Sequence, residues 1–192
     1  MCPSSDKKEG VIMSKKVNLR KVIVPCRFSY LFCFKPNFTN EADAKYSVSA
    51  IIPKSDTKTI ELITSAIEEA KKEHIGKWGG VIPINLRMPL RDGDVERPED
   101  DAYKNSYFIN ASSKQRPEVV DKNVNPISDS SEIYSGCYGR ISLIFYGYKS
   151  GGNVGIGAAL GNIQKIKDGD YLGNRASAVD EFEIVEEELF IN

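Results

Sequence analysis

The sequence predicts a mainly β protein with one prominent helix, folded as a small antiparallel barrel or sandwich. Several short runs rich in Val, Ile, Tyr and Phe are bounded by Gly, Pro, Asn and Asp, as β-strands are. Only residues 56–74 repeat apolar side chains at helical spacing. Long polar loops separate these elements. A chain of 192 residues that is 41% hydrophobic can bury one sizeable core, so we expect one domain.

The first two strands are predicted before the helix. Residues 19–32 alternate apolar and polar side chains in part, and Pro25 indicates an edge or bulge position. Residues 46–52 form a cleaner strand that Pro53 ends, with one face made of Tyr46, Val48, Ala50 and Ile52.

The helix has predictable ends. Ser55 or Asp56 can cap its first turn, and the sequence around His74 and Gly76 marks its last. The helical repeat consists of Ile60, Ile63, Ile67 and Ala70. Because no nucleophile motif accompanies this single histidine, a surface or capping role is favoured over general-base catalysis.

Two segments complete the predicted architecture. Residues 77–105 are rich in Pro, Gly and acids, so we expect an extended, partly mobile segment that rejoins the body at Tyr107, where a strand runs to Ser113. The longest strand is residues 137–149, followed by a GGN turn and a glycine-rich strand that suits the strong bending of a small barrel. An OB-type barrel is one of several architectures that fit.

Charge is distributed unevenly along the chain. Residues 1–175 hold 26 Lys and Arg against 21 Asp and Glu, a formal charge of +5, whereas residues 176–192 hold six carboxylates and no cation. The basic body suits a polyanionic partner. The four cysteines lack CxxC spacing, so packing is favoured over a disulfide or a metal site, and no cofactor motif is present.

Catalysis has one candidate site. The glycines of residues 151–161 match neither a phosphate-binding loop nor a dinucleotide fingerprint. An acidic cluster offers the oxygen ligands that Mg²⁺ prefers, which makes a metal-dependent nuclease the alternative function. A solvated charge run is the favoured interpretation of its members: Asp92, Asp94, Glu96, Glu99, Asp100 and Asp101.

Binding is better supported than catalysis. On the longest strand, Ile141, Leu143 and Phe145 share one face, and the opposite face interleaves rings with a cation: Tyr138, Arg140, Tyr146 and Tyr148. Bases stack on such rings, and the cation suits phosphates. Two alternatives stay open, in which these tyrosines pack beneath the loop around Trp78 or form an oligomer interface.

Two further groups are candidate contacts. Lys114 and Arg116 directly follow a predicted strand beside small hydrogen-bonding side chains, although a solvated strand end has the same pattern. The second group combines two cations with an aromatic ring in loops: Lys35, Lys77 and Trp78. Trp78 also fits a core position, and this alternative is slightly favoured.

Four sequence blocks carry a family resemblance: YSVSAIIPKSD, INASSKQRPEVVD, SEIYSGCYGRISLIFYGY and GNVGIGAALGNIQKIKDGDYLG. Over most of residues 17–185 the chain resembles the phage single-stranded DNA-binding proteins of the DUF2815 family and, more remotely, the OB-fold single-stranded DNA-binding proteins of T7-like phages. The resemblance implies a five-stranded OB-fold barrel with a helix between strands and elaborated loops. It also implies sequence-independent binding of single-stranded DNA in phage replication or recombination, with no enzymatic activity.

We expect three regions along the chain: a disordered leader at 1–16, the OB-fold domain at 17–185 and an acidic tail at 186–192. Met13 is a second candidate start. The tail has three possible roles: it competes with DNA for the basic surface, docks on a replication or recombination protein, or only keeps the protein in solution. The residues expected to carry the first two roles are Glu186, Glu187, Glu188, Leu189, Phe190 and Ile191. With no membrane-length apolar run, the expected location is the cytoplasm, that of the bacterial host if a phage encodes the chain.

Overall fold

The computed structural model describes residues 18–37 and 44–173, which form seven strands and two α-helices. The strands are β1 (Lys21–Asn37), β2 (Lys45–Pro53), β3 (Leu90–Asp92), β4 (Ser106–Ser113), β5 (Val119–Val120), β6 (Tyr138–Ser150) and β7 (Asn153–Lys167). The helices are α1 (Thr57–His74) and the single-turn α2 (Gly93–Glu96).

Five of these strands close into a barrel in the order β1-β2-β4-β7-β6, and β6 pairs back onto β1. All neighbours are antiparallel except β4 and β7, whose parallel pairing at Ala111–Ala158 and Ser112–Ala159 closes the barrel. Because the barrel is closed, β4 and β7 have no free strand edge where they pair. The predicted mainly β fold, a five-stranded barrel with one main helix, is confirmed.

The barrel interior is filled by the alternating faces of its strands. Ile141, Leu143 and Phe145 of β6 are completely buried, as their spacing predicts, and Val48, Ala50 and Ile52 of β2 point into the same core. Three cysteines, Cys26, Cys33 and Cys137, are buried as free thiols, which confirms that they pack as small apolar side chains. Burial raises the pKa of the Cys33 thiol to about 11.

Helix α1 packs on β1 and β6 through its apolar stripe, which includes the buried Ile63, Ile67 and Ala70. Its predicted N-cap is confirmed, because the Asp56 carboxylate accepts a hydrogen bond from the Thr59 amide at 3.2 Å. At the other end, the His74 imidazole donates through Nδ1 to the Ala70 carbonyl at 3.0 Å. No helix among residues 18–37 and 44–173 is long and apolar enough to span a membrane.

A β-bulge in β1 decides which side chains face outward. The register runs from Ser29–Ser49 to Phe32–Ser47, so β1 has one more residue than β2 over this step. The extra residue is accommodated at Tyr30, whose φ of 46° is uncommon for a residue other than glycine. Tyr30 and Phe32 therefore lie outside the barrel, although strict alternation from the buried Phe28 places both inside.

The segment at 77–105 is more ordered than the sequence predicts. It contributes β3, which pairs with β4, followed by α2 and a turn that buries Tyr103 completely. Tyr103 packs edge-on against Phe108 in a second small core with Ile51, and its hydroxyl donates to Ser49 Oγ at 2.9 Å. The prediction of an extended, partly mobile loop is thus wrong for residues 90–103, because burial of Tyr103 fixes them on the barrel wall.

Candidate nucleic-acid interface

The predicted tyrosine face of β6 lies outside the barrel, but its two ends are far apart. Tyr138 and Tyr146 are 36% and 38% exposed. Tyr146 lies eight residue steps along the strand from Tyr138, which is roughly 26 Å at 3.3 Å per step. The face therefore consists of a Tyr138 end and a Tyr146 end with different neighbours.

At the first end, Arg27 of β1 and Lys167 of β7 lie directly opposite Tyr138 on its two sides. The Arg27 guanidinium is 5.3 Å and the Lys167 ammonium 4.6 Å from the ring centroid. Arg27 also donates to the carbonyls of Gly136 at 3.2 Å and Asp170 at 2.9 Å, which fixes its position. We call Arg27, Tyr138 and Lys167 the Tyr138 row, since it alternates cation, ring and cation.

At the second end, the rings of Tyr146 and Tyr148 lie over glycines of β7. Tyr146 pairs with Gly157 and Tyr148 with Gly155, and a Cβ atom on either glycine would meet the ring above it within 2.8 Å. Gly157 directly precedes Ala158, which pairs with β4, so Tyr146 lies beside the outer face of β4. Tyr148 is only partly exposed.

Arg140, between the two ends, is exposed but held by its neighbour on β7. Its Nε donates to the Gln164 amide oxygen at 2.5 Å, and the Gln164 amide nitrogen donates to the Asp121 carbonyl at 3.0 Å. The remaining guanidinium donors are available to a phosphate.

Trp78 lies in the core rather than on the surface. It is 9% exposed, its ring packs against Gly147, and its Nε1 donates to the Tyr148 carbonyl at 3.0 Å. The adjacent Lys77 donates to the Gly147 carbonyl at 2.9 Å. The slightly favoured core position of Trp78 is therefore confirmed, and burial beneath β6 argues against the alternative of a stacking platform for DNA.

Lys35, Lys114 and Arg116 are exposed near the ends of β1 and β4, and both strand ends pair with the start of β2 at Asn37–Lys45 and Ser113–Tyr46. The Arg116 guanidinium lies 5.1 Å from the centroid of the Phe34 ring, next to Lys35. We call these three cations the basic end. The structure thus places Lys35 with Lys114 and Arg116, whereas its predicted companions Lys77 and Trp78 lie at Gly147 and Tyr148 of β6.

A groove on the outer face of β1, β2 and β4 holds residues that the sequence does not single out. It has a volume of 280 Å³, and its lining includes Tyr30, Phe32, Arg97, Asn110 and Ser112. We call this cavity the outer groove. It offers rings, one cation and small polar groups, which are the components of a single-strand binding surface.

Arg97 is the central cation of this groove. Its guanidinium lies 4.9 Å from the centroid of Tyr30, 4.5 Å from that of Tyr103 and 5.1 Å from that of Phe108. None of the ion pairs within residues 18–37 and 44–173 involves Arg97. Stacking therefore holds the charge in place without neutralising it.

Most carboxylates of the acidic cluster have structural partners. Lys54 binds both Asp92 and Asp94 at 2.7 Å, and this contact with Lys54 is the main reason the pKa of Asp94 lies below its usual range. Arg91 pairs with Glu96 and likewise lowers the pKa of its carboxyl, while Asp100 caps the turn at Ala102. In the described part of the chain, no three His, Cys, Asp or Glu side chains form a metal-binding group.

The predicted tail contacts, residues 186–191, lie outside the described residues, as do the leader at 1–16 and Cys2.

Comparison with known proteins gives a consistent result. A family model described as the ssDNA-binding protein of Enterobacter phage Enc34 matches residues 15–190. Putative protein p50 of Acyrthosiphon pisum secondary endosymbiont phage 1 is 34% identical over 180 residues, which cover 88% of this chain and 92% of that protein.

Solved structures show the same architecture. The single-stranded DNA-binding protein of bacteriophage Enc34 in complex with ssDNA aligns with a TM-score of 0.72 and 25% identity, covering 83% of this chain and 97% of that one. The single-stranded DNA-binding protein of bacteriophage T7 aligns with a TM-score of 0.56 and 16% identity, covering 89% of this chain and 96% of that one. The second likeness is one of fold.

Proposed function

The chain belongs to the family of the single-stranded DNA-binding protein of Enterobacter phage Enc34, and we propose that it holds single-stranded DNA in the outer groove. It is a single-stranded DNA-binding protein and not an enzyme. The relationship to phage single-stranded DNA-binding proteins that the sequence blocks predict is therefore confirmed, and the matching family is that of phage Enc34.

The observation that carries the proposal is the stacked guanidinium of Arg97, which forms no ion pair within residues 18–37 and 44–173, beside the exposed ring of Tyr30. A base can stack on the open part of the ring while the guanidinium meets the neighbouring phosphate. Stacking uses the π-face that every base has, so this arrangement supports binding without sequence preference.

The strand path that we propose follows β1. It begins at the Tyr138 row, continues through Tyr30, Arg97 and Phe32 in the outer groove, and reaches the basic end. Along this path rings and cations alternate, and Tyr146 flanks it from the side of β7. Arg140 lies beside the row and adds a further cation. A single OB fold binds roughly 4–16 nucleotides, and we expect the segment of DNA bound along this path to lie in that range.

We further propose that the protein coats and protects single strands during phage DNA replication or recombination in the host cytoplasm. The acidic tail then docks on a replication or recombination protein or competes with DNA for the groove. Titration of a chain ending at Val185 separates these roles, because tighter DNA binding by the shortened chain supports competition and equal binding contradicts it. A homodimer through the Tyr146 end is the remaining alternative, which sizing with and without oligonucleotide tests.

Salt dependence tests the proposed function directly. Apart from Arg140, which lies beside the path, six cations line it: Arg27, Lys35, Arg97, Lys114, Arg116 and Lys167. If each meets a phosphate, log K should fall against log salt with a slope of roughly −4, since single strands release about 0.7 counterion per contact. Fluorescence anisotropy with labelled oligo-dT measures the slope, and a mixed-sequence oligonucleotide should bind within a few-fold. A flat response to salt would remove the phosphate path.

A further inference from the structure

Two prolines open a cleft beside the Tyr138 row. The pairing of β1 with β2 starts at Arg27–Ile51, and Pro25 and Pro53 each lie two residues beyond this pair, where the same register would place them opposite each other. Neither proline has a backbone N–H to donate, so the ladder ends there and the two strands part. The space between them is a cleft of 470 Å³, which we call the proline cleft.

The walls of the proline cleft are mainly apolar. Ile51, Ala102 and Ile166 line it, and the polar groups of Ser106 and Asp56 lie among them. Asp56 is engaged as the N-cap of α1, where its carboxylate accepts the Thr59 amide. Clefts of this size with apolar walls and few polar groups are typical of small-molecule sites, and the Tyr138 ring on the rim suits a planar group.

The rim of the cleft is positively charged. All three members of the Tyr138 row, Arg27, Tyr138 and Lys167, line it. The Arg27 side chain is 19% exposed, and the carboxylate of Asp170, on a fully exposed side chain, lies 4.0 Å from its guanidinium. Lys167 takes part in none of the ion pairs seen in residues 18–37 and 44–173. An occupant with an apolar, planar body and negative charge at its edge is therefore favoured.

We propose that the proline cleft is a nucleobase subsite, which receives one unpaired base of the bound strand. Tyr138 supplies the ring beside which the base stacks, and Arg27 and Lys167 meet the phosphates on either side of that nucleotide. The inference rests on the proposed single-strand binding and adds one anchored nucleotide at the end of the path away from the basic end. Charge complementarity with the rim favours a nucleotide over an apolar peptide.

Two charge variants test the subsite in the full-length chain. Ile166→Glu places a carboxylate on the wall of the cleft, where the native side chain is 44% exposed, so the fold should tolerate it. Ile84→Glu makes the same change of charge on a fully exposed side chain remote from the cleft lining. Affinity is measured for oligo-dT of increasing length, and thermal melting checks that both variants are folded.

The wild-type protein should gain affinity with length until the strand reaches the cleft. Ile166→Glu should lose the gain in affinity that appears when the strand becomes long enough to reach the cleft. We expect this loss to be roughly 5- to 100-fold, as for one stacked base, whereas Ile84→Glu should bind like the wild type at every length. Tyr138→Leu should show the same loss and Tyr138→Phe should not. Equal binding by the two Glu variants at every length would overturn the subsite. Failure of the wild-type protein to bind any single strand would instead overturn the proposed function.

Discussion

Replacing Arg97 with alanine is expected to weaken single-stranded DNA binding by roughly 10- to 100-fold. The variant loses one charge-assisted contact to a phosphate, worth about 1.5–3 kcal/mol, and tenfold in affinity corresponds to about 1.4 kcal/mol. It also frees Tyr30 from the guanidinium that lies 4.9 Å from its ring. Anisotropy titration with oligo-dT at fixed salt measures the change.

Arg91 provides the matched control for Arg97. Its guanidinium also lies over the Phe108 ring, at 4.7 Å, but it is paired with Glu96 and is absent from the lining of the outer groove. Arg91→Ala should therefore leave DNA affinity nearly unchanged, because Glu96 already neutralises this guanidinium outside the groove, and it should cost about 0–1 kcal/mol of stability, as expected of an exposed ion pair. Because Arg97 also packs on Tyr103, the melting temperature of both variants must be compared. Equal loss of affinity in the two would contradict a specific role for Arg97.

Replacing Trp78 with alanine is expected to produce the largest loss of stability, about 3–5 kcal/mol in the free energy of unfolding. The indole is 9% exposed, packs against Gly147 and donates to the Tyr148 carbonyl. Its removal leaves a cavity beneath β6 and an unpaired carbonyl. Urea unfolding measures the change, and the DNA affinity of the folded fraction should stay close to that of the wild type.

Trp78→Phe separates the packing of the ring from its hydrogen bond. It keeps an aromatic ring in the core and loses the Nε1 donor, so its loss of stability should be clearly smaller than that of the alanine variant. A Trp78→Phe variant that keeps full stability but loses DNA affinity would show that the indole contacts DNA after all.

Much of the fold could be predicted because local signals agree with the final structure. The alternation of Ile141, Leu143 and Phe145 identifies the core face of β6, and Asp56 followed by a helical repeat identifies the start of α1. The outward position of Tyr138 and Tyr146 follows from the same alternation. These features depend only on residues close together in the chain.

The outer groove could not be predicted in the same way, because the bulge at Tyr30 breaks the period of two on which face assignments depend. Arg97 lies in a segment whose composition is typical of a solvated loop, and only the burial of Tyr103 brings it onto the barrel. The sequence around Trp78 fits both a loop contact and a core position, and only tertiary packing decides for the core. The one sequence signal that could have indicated this surface is a cation between two acidic runs, Arg97, followed closely by a tyrosine, Tyr103.

The path of the strand across the barrel is tested most directly by photocrosslinking. Oligo-dT that carries 5-bromodeoxyuridine is irradiated with the full-length protein, and the crosslinked peptides are identified by mass spectrometry. We expect crosslinks at Tyr30 or Phe32 in the outer groove and at Tyr138 beside the proline cleft. Crosslinks confined to Tyr148 and the exposed loop around Ile84, with none in β1, would contradict the proposed path.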